Sequence, residues 1–271
     1  MKKLCRILVS VLVLMLFSAA VFANGTSEEN SVMKKIEESG KLIVGTEAQY
    51  APYEFRDMDA NIVGCDMFLA QQIADELGVE LEIVDMAFDG IIPAVQSEQV
   101  DLGIAAFTNT PERAEVIDFS DIYEESLQYL IVAAGNEEVY TTPESLAGLM
   151  VGAQRGTIQS QLIRTALPDS QLFELAKYPE LALEVQNGNI AGLVVDAAVG
   201  DSIVAASDGK LVVADFKFDS DVAKFGKSVV IKKNNPALVA AVNTVINRVL
   251  EDGSYQKAWD EAVALQKELG L

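Results

Sequence analysis

Apolar and polar positions along the chain alternate between short buried runs and stretches of helical spacing. Residues 41–45 (KLIVG) predict a first strand, preceded by a helix over 28–39 that Gly40 stops. From 64 to 77, Met67, Ala70, Ile73, Ala74 and Leu77 recur at helical spacing, with Gly78 placed to end the helix. A strand over 79–84, a helix over 88–96 capped near Asp89, and a buried strand over 101–106 follow. Strand, helix, strand, helix, strand is the pattern of a parallel sheet in an α/β fold.

Residues 123–133 predict a strand long enough to leave this first unit, and 135–142 form a polar break. A second unit repeats the logic. Strands are expected over 150–154, 172–177 and 191–195, and helices over 158–167 and 178–186, the latter ended by Asn187-Gly188. Strands over 212–215 and 226–232 return. A pair of helices over 235–269, broken near Asp252-Gly253 and carrying Trp259, is expected to pack back on the first unit. The pattern is that of two lobes joined by two crossings, with a ligand expected in the cleft between them.

The stretch 101–120 (DLGIAAFTNTPERAEVIDFS) concentrates candidate chemistry. Thr108 and Asn109 end a central strand. Thr110 suits an N-cap, Pro111 the first helical position, and Glu112 the positive end of the helix. Arg113 follows in the first turn. The C-terminal end of a strand, free backbone N–H groups and a guanidinium thus converge, and open α/β sheets bind ligands at such a place. A guanidinium there matches a carboxylate through two parallel N–H donors. The alternative is a surface role, with Arg113 paired to Glu112, Glu115 or Asp118.

The first 23 residues read as a cleaved signal peptide rather than part of the fold. Lys2, Lys3 and Arg6 make a positive start, 7–17 an apolar run, and Val21-Phe22-Ala23 a peptidase site. Cys5 lies before the apolar run and not at the cleavage site, so lipid anchoring is not expected. The whole chain carries 20 Lys and Arg against 41 Asp and Glu, a net charge of −21. Removal of the three leading cations leaves −24, which argues against nucleic acid and against an anionic membrane surface.

Cysteine and histidine exclude more than they suggest. Beyond residue 23 only Cys65 remains, so no internal disulfide can form, and histidine is absent. Ser-His-Asp and Cys-His catalysis and histidine-ligated metals are excluded. The acidic stretch 57–62 (DMDANI) lacks the glycine of an EF-hand loop, and Gly226-Lys227-Ser228 lacks the earlier glycine of a P-loop, where Asp221 stands. No metal and no cofactor is expected.

Five segments in order resemble the periplasmic amino-acid-binding proteins of ABC importers, the family 3 extracellular solute-binding proteins. They are KLIVGTEAQYAPYEFRD (41–57), IVGCDMFLAQQIADELGVELE (62–82), FDGIIPAVQSEQVDLGIAAFTNTPERAEVIDFSDIYEE (88–125), LAGLMVGAQRGTIQSQ (146–161) and GNIAGLVVDAAVGD (188–201). The resemblance implies a type II two-lobed periplasmic-binding-protein fold, each lobe a mostly parallel sheet flanked by helices. Lobe 1 would comprise 24–127 and 221–271, and lobe 2 residues 128–220. It implies a monomer outside the cytoplasm, in the periplasm, that delivers a free amino acid to a membrane permease.

The resemblance also implies roles. Arg113 would hold the ligand's α-carboxylate, Thr108 would add a hydroxyl and Ala106 backbone, and the helix start at Gly156, Thr157 and Ile158 would hold the same carboxylate from lobe 2. Asp201, rather than Asp196, would accept the α-ammonium; a helix cap is its alternative. Tyr50 and Phe88 would wall the side chain, unless they are core. Glu47 falls where some relatives read a basic or amide side chain. Gln154 and Gly200 stand at positions that help set ligand choice, leaving Arg, Lys, His and Gln open. The same scaffold has served a cyclohexadienyl dehydratase, which is the enzymatic alternative, and a sensor ectodomain is a third.

Overall fold

The computed structural model describes residues 30–219 and 225–271, and its strands sort into two five-stranded sheets and two small ribbons. The signal-peptide reading of residues 1–23 lies outside the described residues. In chain order the strands are β1 (Lys41–Thr46), β2 (Phe55–Arg56), β3 (Ile62–Val63), β4 (Glu80–Asp85), β5 (Leu102–Gly103), β6 (Asp118–Phe119) and β7 (Glu124–Ser126). They continue with β8 (Gln128–Ala133), β9 (Met150–Gln154), β10 (Gln171–Leu175), β11 (Gly192–Asp196), β12 (Leu211–Val213), β13 (Phe225–Lys227) and β14 (Val230–Ile231). The first sheet runs β4-β1-β5-β14-β6 and the second β10-β9-β11-β8-β12. In each, three neighbouring strands are parallel, a fourth (β14 or β8) runs antiparallel to them, and the fifth (β6 or β12) pairs antiparallel with the fourth. This is an α/β, two-lobed arrangement.

Helices cover both faces of each sheet, which is why the inner parallel strands β1, β5, β9 and β11 are mostly apolar, whereas the edge strand β4 alternates. They are α1 (Ser31–Ser39), α2 (Cys65–Leu77), α3 (Phe88–Gln96), α4 (Pro111–Ala114), α5 (Ile158–Ala166), α6 (Tyr178–Gln186), α7 (Ala197–Ala205), α8 (Pro236–Glu251) and α9 (Ser254–Leu269). On one face of the first sheet, Leu42, Val44, Leu102 and Ile104 pack with Leu69 and Ile73 of α2 and Val242 and Ile246 of α8. On the other, Val100 and Val230 pack with Ile91 and Val95 of α3. The closing helix pair therefore does return to the first lobe. It also touches the second, where Ser202 Oγ donates to Gln266 Oε1 at 2.9 Å.

Three strand expectations need correction. The run 101–106 narrows to β5. Asp101 is held just before it because its carboxylate accepts the Ile43 N–H (2.9 Å) and Lys35 Nζ (2.8 Å). At its far end Ala106 takes a positive φ of 46°, and its N–H is captured by Asp66 Oδ2 at 2.8 Å. The run 123–133 splits at Leu127, whose carbonyl accepts the Ala197 N–H at 2.8 Å. β7 then pairs with β13, and β8 enters the second sheet. The two chain crossings thus lie side by side as one antiparallel ribbon. The run 226–232 likewise divides, into the end of β13 and β14. The cap of α3 is Ala87, without a side-chain bond, rather than Asp89.

Gly64 precedes α2 at φ +129°, and a Cβ there would stand 2.1 Å from the Tyr53 carbonyl oxygen. Gly78, at φ +67°, faces open space. Gly64→Ala should therefore cost at least about 2–3 kcal/mol, and Gly78→Ala about 1 kcal/mol from conformation alone. Urea unfolding of both variants checks this; equal losses would refute the steric account.

Candidate functional site

The C-terminal ends of the parallel strands of both sheets face one narrow cavity. Eight of the nine residues expected at a binding site line it: Glu47, Tyr50, Phe88, Ala106, Thr108, Arg113, Thr157 and Ile158. Each is placed by a strand end or a helix start. Glu47 and Tyr50 follow β1, Phe88 opens α3, and Thr157 and Ile158 open α5. Thr110 caps α4 by accepting the Arg113 N–H at 3.2 Å, as expected, which aims the Arg113 side chain at the cleft.

Arg113 is set between two lobes and two rings. Nη1 donates to the Thr108 carbonyl (2.8 Å) and Nη2 crosses to the Gly156 carbonyl (3.0 Å). Its guanidinium carbon lies 5.6 Å from the Phe88 ring and 5.4 Å from that of Phe107, which stack on each other at 4.5 Å. The surface alternative fails: among the described residues no carboxylate forms a salt bridge with Arg113. Burial pushes the guanidinium down to about 10, so it stays charged at neutral pH. A charged, aromatic-backed guanidinium whose partners are neutral carbonyls has the chemistry to pair with an anion.

From the second lobe, Thr157 caps α5, accepting the Ser160 N–H and donating to the Gln154 carbonyl at 2.6 Å. The first N–H groups of α5 have no intrahelical partner and face the same cavity. Gly156 is needed for the approach of the lobes. It has φ +78°, and a Cβ would stand 3.0 Å from Asp89 Cβ. Arg155 and Asp89 pair across the mouth at 3.7 Å.

Asp201 is the exception. It lies on α7, exposed to solvent, and does not line the cavity. The aspartate that lines the cavity is Asp196, at the end of β11 and buried. Helical geometry explains the difference: Asp196 is the residue before α7, at the strand end, whereas Asp201 is more than a turn into the helix. The signal for Asp196 was its position directly after the buried run 191–195, the place where Thr108 follows the equivalent run in the first lobe.

Three donors meet on Asp196. Tyr50 Oη and Lys227 Nζ both donate to Oδ2 at 2.5 Å, and Gln128 Nε2 donates to Oδ1 at 2.5 Å. Gln159 Nε2 in turn donates to Gln128 Oε1 at 2.8 Å. Tyr50 is thus tied across the cleft by its hydroxyl while its ring packs on Tyr53 and Tyr178. Lys227, Glu54 and Gln159 were not foreseen as cavity residues. Lys227 occurs in a stretch that sequence reasoning discarded as a broken P-loop, and only pairing of β13 with β7 brings it inward.

The site holds more carboxyl groups than cations. Burial pushes Glu47 up to about 7, against the pull of its Gln154 hydrogen bond at 3.3 Å. Burial does the same for Glu124, to about 7, and for Asp66, to about 6, while Glu54 is pushed well above its ordinary value, by burial first and then by Asp66. Glu54 Oε2 and Asp66 Oδ1 are, among the described residues, the buried carboxyl oxygens with no N–H or O–H partner. A proton kept on Glu54 and donated to Asp66 satisfies both. Among the described residues no group of three or more His, Cys, Asp or Glu could hold a metal ion.

The family model of the bacterial extracellular solute-binding proteins, family 3, matches residues 42–262. The chain belongs to this family. Among family members of known role, the arginine-binding extracellular protein ArtP of Bacillus subtilis is 29% identical over 261 residues, covering 95% of this chain and 96% of that protein. An amino acid ABC transporter substrate-binding protein of Streptococcus pneumoniae, solved with L-arginine, is 33% identical with a TM-score of 0.82, covering 86% of this chain and 98% of the other. An ancestral amino-acid-binding protein, described as a precursor of cyclohexadienyl dehydratase, is 31% identical with a TM-score of 0.76, over 85% and 99% of the two chains. The type II fold and the solute-binding role of the family account for a cleft between two lobes.

The raised carboxyl groups predict how the stability of this solute-binding protein varies with pH. In the unfolded chain Asp and Glu lose their protons near pH 4; folded, Asp66, Glu47 and Glu124 keep theirs to about 6–7. The folded form binds more protons in that window, so stability is full at its acid end and falls as pH rises through 6–7. The melting temperature should be higher at pH 5 than at pH 8, and Glu47→Gln should flatten part of the slope. A melting temperature that rises across this range would contradict the assignment.

Proposed function

We propose that the protein captures a free polar or basic L-amino acid by closure of its two lobes and delivers it to the permease of an ABC importer. Residues 24–127 with 221–271 form one moving body and 128–220 the other. The protein works as a monomer in the periplasm after removal of residues 1–23. Arg113 carries this reading: a half-buried cation at the lobe interface with aromatic rings behind it and no salt-bridge partner among the described residues. Its ligand's carboxylate is also within the field of the α5 N-terminus. Asp196 takes the ligand's ammonium in place of Asp201, and Glu47 with Gln154 reads the side chain. The relatives named for arginine support a basic ligand.

Contacts from both lobes to one ligand are complete only when the lobes are together, so the ligand stabilises that state by its differential affinity. Thermal-shift screening of the protein, refolded to strip bound solute, against the twenty amino acids tests the proposal. One basic or polar amino acid should raise the melting temperature by several degrees. Arg113→Ala should weaken its binding at least about 100-fold and Asp196→Asn by about five- to tenfold, while Asp201→Asn stays within about twofold of wild type. If Asp201→Asn rather than Asp196→Asn loses binding, the ammonium site is misplaced. No shift with any amino acid would sink the ligand class.

A second reading rests on Glu47, a cavity carboxyl group near neutral pKa on a scaffold related to a dehydratase precursor. It predicts loss of water and carbon dioxide from arogenate. Binding alone predicts no aromatic product by absorbance.

A further inference from the structure

Lys227 is a fully buried cation on the ribbon that joins the lobes. Its Nζ lies 2.5 Å from Asp196 Oδ2 and 5.9 Å from the Tyr53 ring centre, and the residue lines the cavity. Its backbone is held on both sides. Thr108 bridges to Lys227, and the Tyr123 N–H donates to the Lys227 carbonyl at 2.9 Å. The ammonium is therefore positioned and not free to swing to solvent.

Asp196 is thus already neutralised by a cation of the protein's own. Tyr50 and Lys227 fill Oδ2 and Gln128 fills Oδ1. An incoming α-ammonium placed on this carboxylate shares it with the Lys227 ammonium. Two cations bound to one carboxylate stand close enough that their repulsion is comparable with the attraction each feels for the shared charge. Among the described residues Arg113 forms no such ion pair, and its guanidinium donates to two neutral carbonyls. The cleft consequently reads the two ends of an amino acid unequally, strongly at the carboxylate and weakly at the ammonium.

We propose that Lys227 is a specificity-determining residue that widens the solute class from α-amino acids to the matching carboxylates without an α-ammonium, the 2-oxo, 2-hydroxy and desamino acids. This rests on the reading that Arg113 receives a solute carboxylate and Asp196 faces its α-position.

The test is isothermal titration of wild type, Lys227→Met, Lys227→Arg and Arg113→Ala with L-arginine and with its desamino analogue. In wild type the two affinities should lie within about tenfold of each other. Lys227→Met removes the competing charge, so L-arginine should tighten by at least about tenfold while the analogue does not. Lys227→Arg keeps a cation and should keep the wild-type ratio. A merely structural role would weaken both probes together in Lys227→Met. That result, or a wild-type preference for L-arginine above about tenfold, overturns the role of Lys227 and leaves the amino-acid reading standing. If Lys227→Met does not fold, the ratios in wild type and Lys227→Arg decide alone. Failure of both probes to bind wild type overturns this proposal and the basic-ligand reading together.

Discussion

The carboxylate of Asp196 is bonded to three separate parts of the chain: Tyr50 of the first lobe, Gln128 at the start of β8, and Lys227 on the returning ribbon. A carboxylate this buried is tolerated only because a cation and further hydrogen bonds replace its water. The aromatic wall of the cleft depends on the same atom group. Tyr50 is oriented by its bond to Asp196, and from it rings continue to Tyr178 on one side (5.2 Å) and to Tyr53 on the other (5.6 Å). Tyr53 in turn meets Trp259 of α9 at 5.2 Å and donates to Glu124 at 2.9 Å. One ion pair thus sets the position of a stack that runs from the second lobe to the final helix.

Near this pair the chain buries more acid than it can neutralise with Lys and Arg, and the remainder is handled by protons. Asp66 ties this acidic cluster to the cleft. It accepts from the Tyr123 hydroxyl (3.0 Å) and from the N–H of Ala106 (2.8 Å). The second bond holds Ala106 in its left-handed conformation, a strain of about 1 kcal/mol for a residue with a Cβ. That turn ends β5 and redirects the chain so that Thr108 and, five residues on, Arg113 face the cleft. A core carboxyl group therefore helps decide where Arg113 meets the cleft.

The lobes and most elements were legible because period and punctuation agreed. The helices 88–96 and 178–186 and the strand 150–154 have the expected limits. In each the apolar pattern ends where turn residues begin. The cluster around Arg113 was legible for a local reason: cap, proline, acid and guanidinium occupy consecutive positions. What failed to show depends on distant pairing. Nothing in 123–133 marks the break at Leu127, which exists because the Ala197 N–H reaches its carbonyl. Asp196 and Asp201 are indistinguishable as residue types, and only the end of β11 at Asp196 separates them. Lys227 in sequence is one lysine among many, and its burial follows from a ribbon whose partner strand lies a hundred residues earlier.

The location of Lys227 bears on how the cleft opens. In the closure proposed above, Lys227 belongs with Tyr50 to the body of residues 24–127 and 221–271, whereas Asp196 and Gln128 belong to the other. Gln128 opens the strand antiparallel to β11 and is paired with Asp196 itself, so it moves with the carboxylate. Opening under that proposal parts Asp196 from Tyr50 and from Lys227, and water must replace a hydrogen bond and an ion pair at a buried carboxylate. Under the two proposals together, one lysine then weighs on both properties: it competes with a ligand ammonium for Asp196, and its ion pair across the bodies opposes opening until water enters.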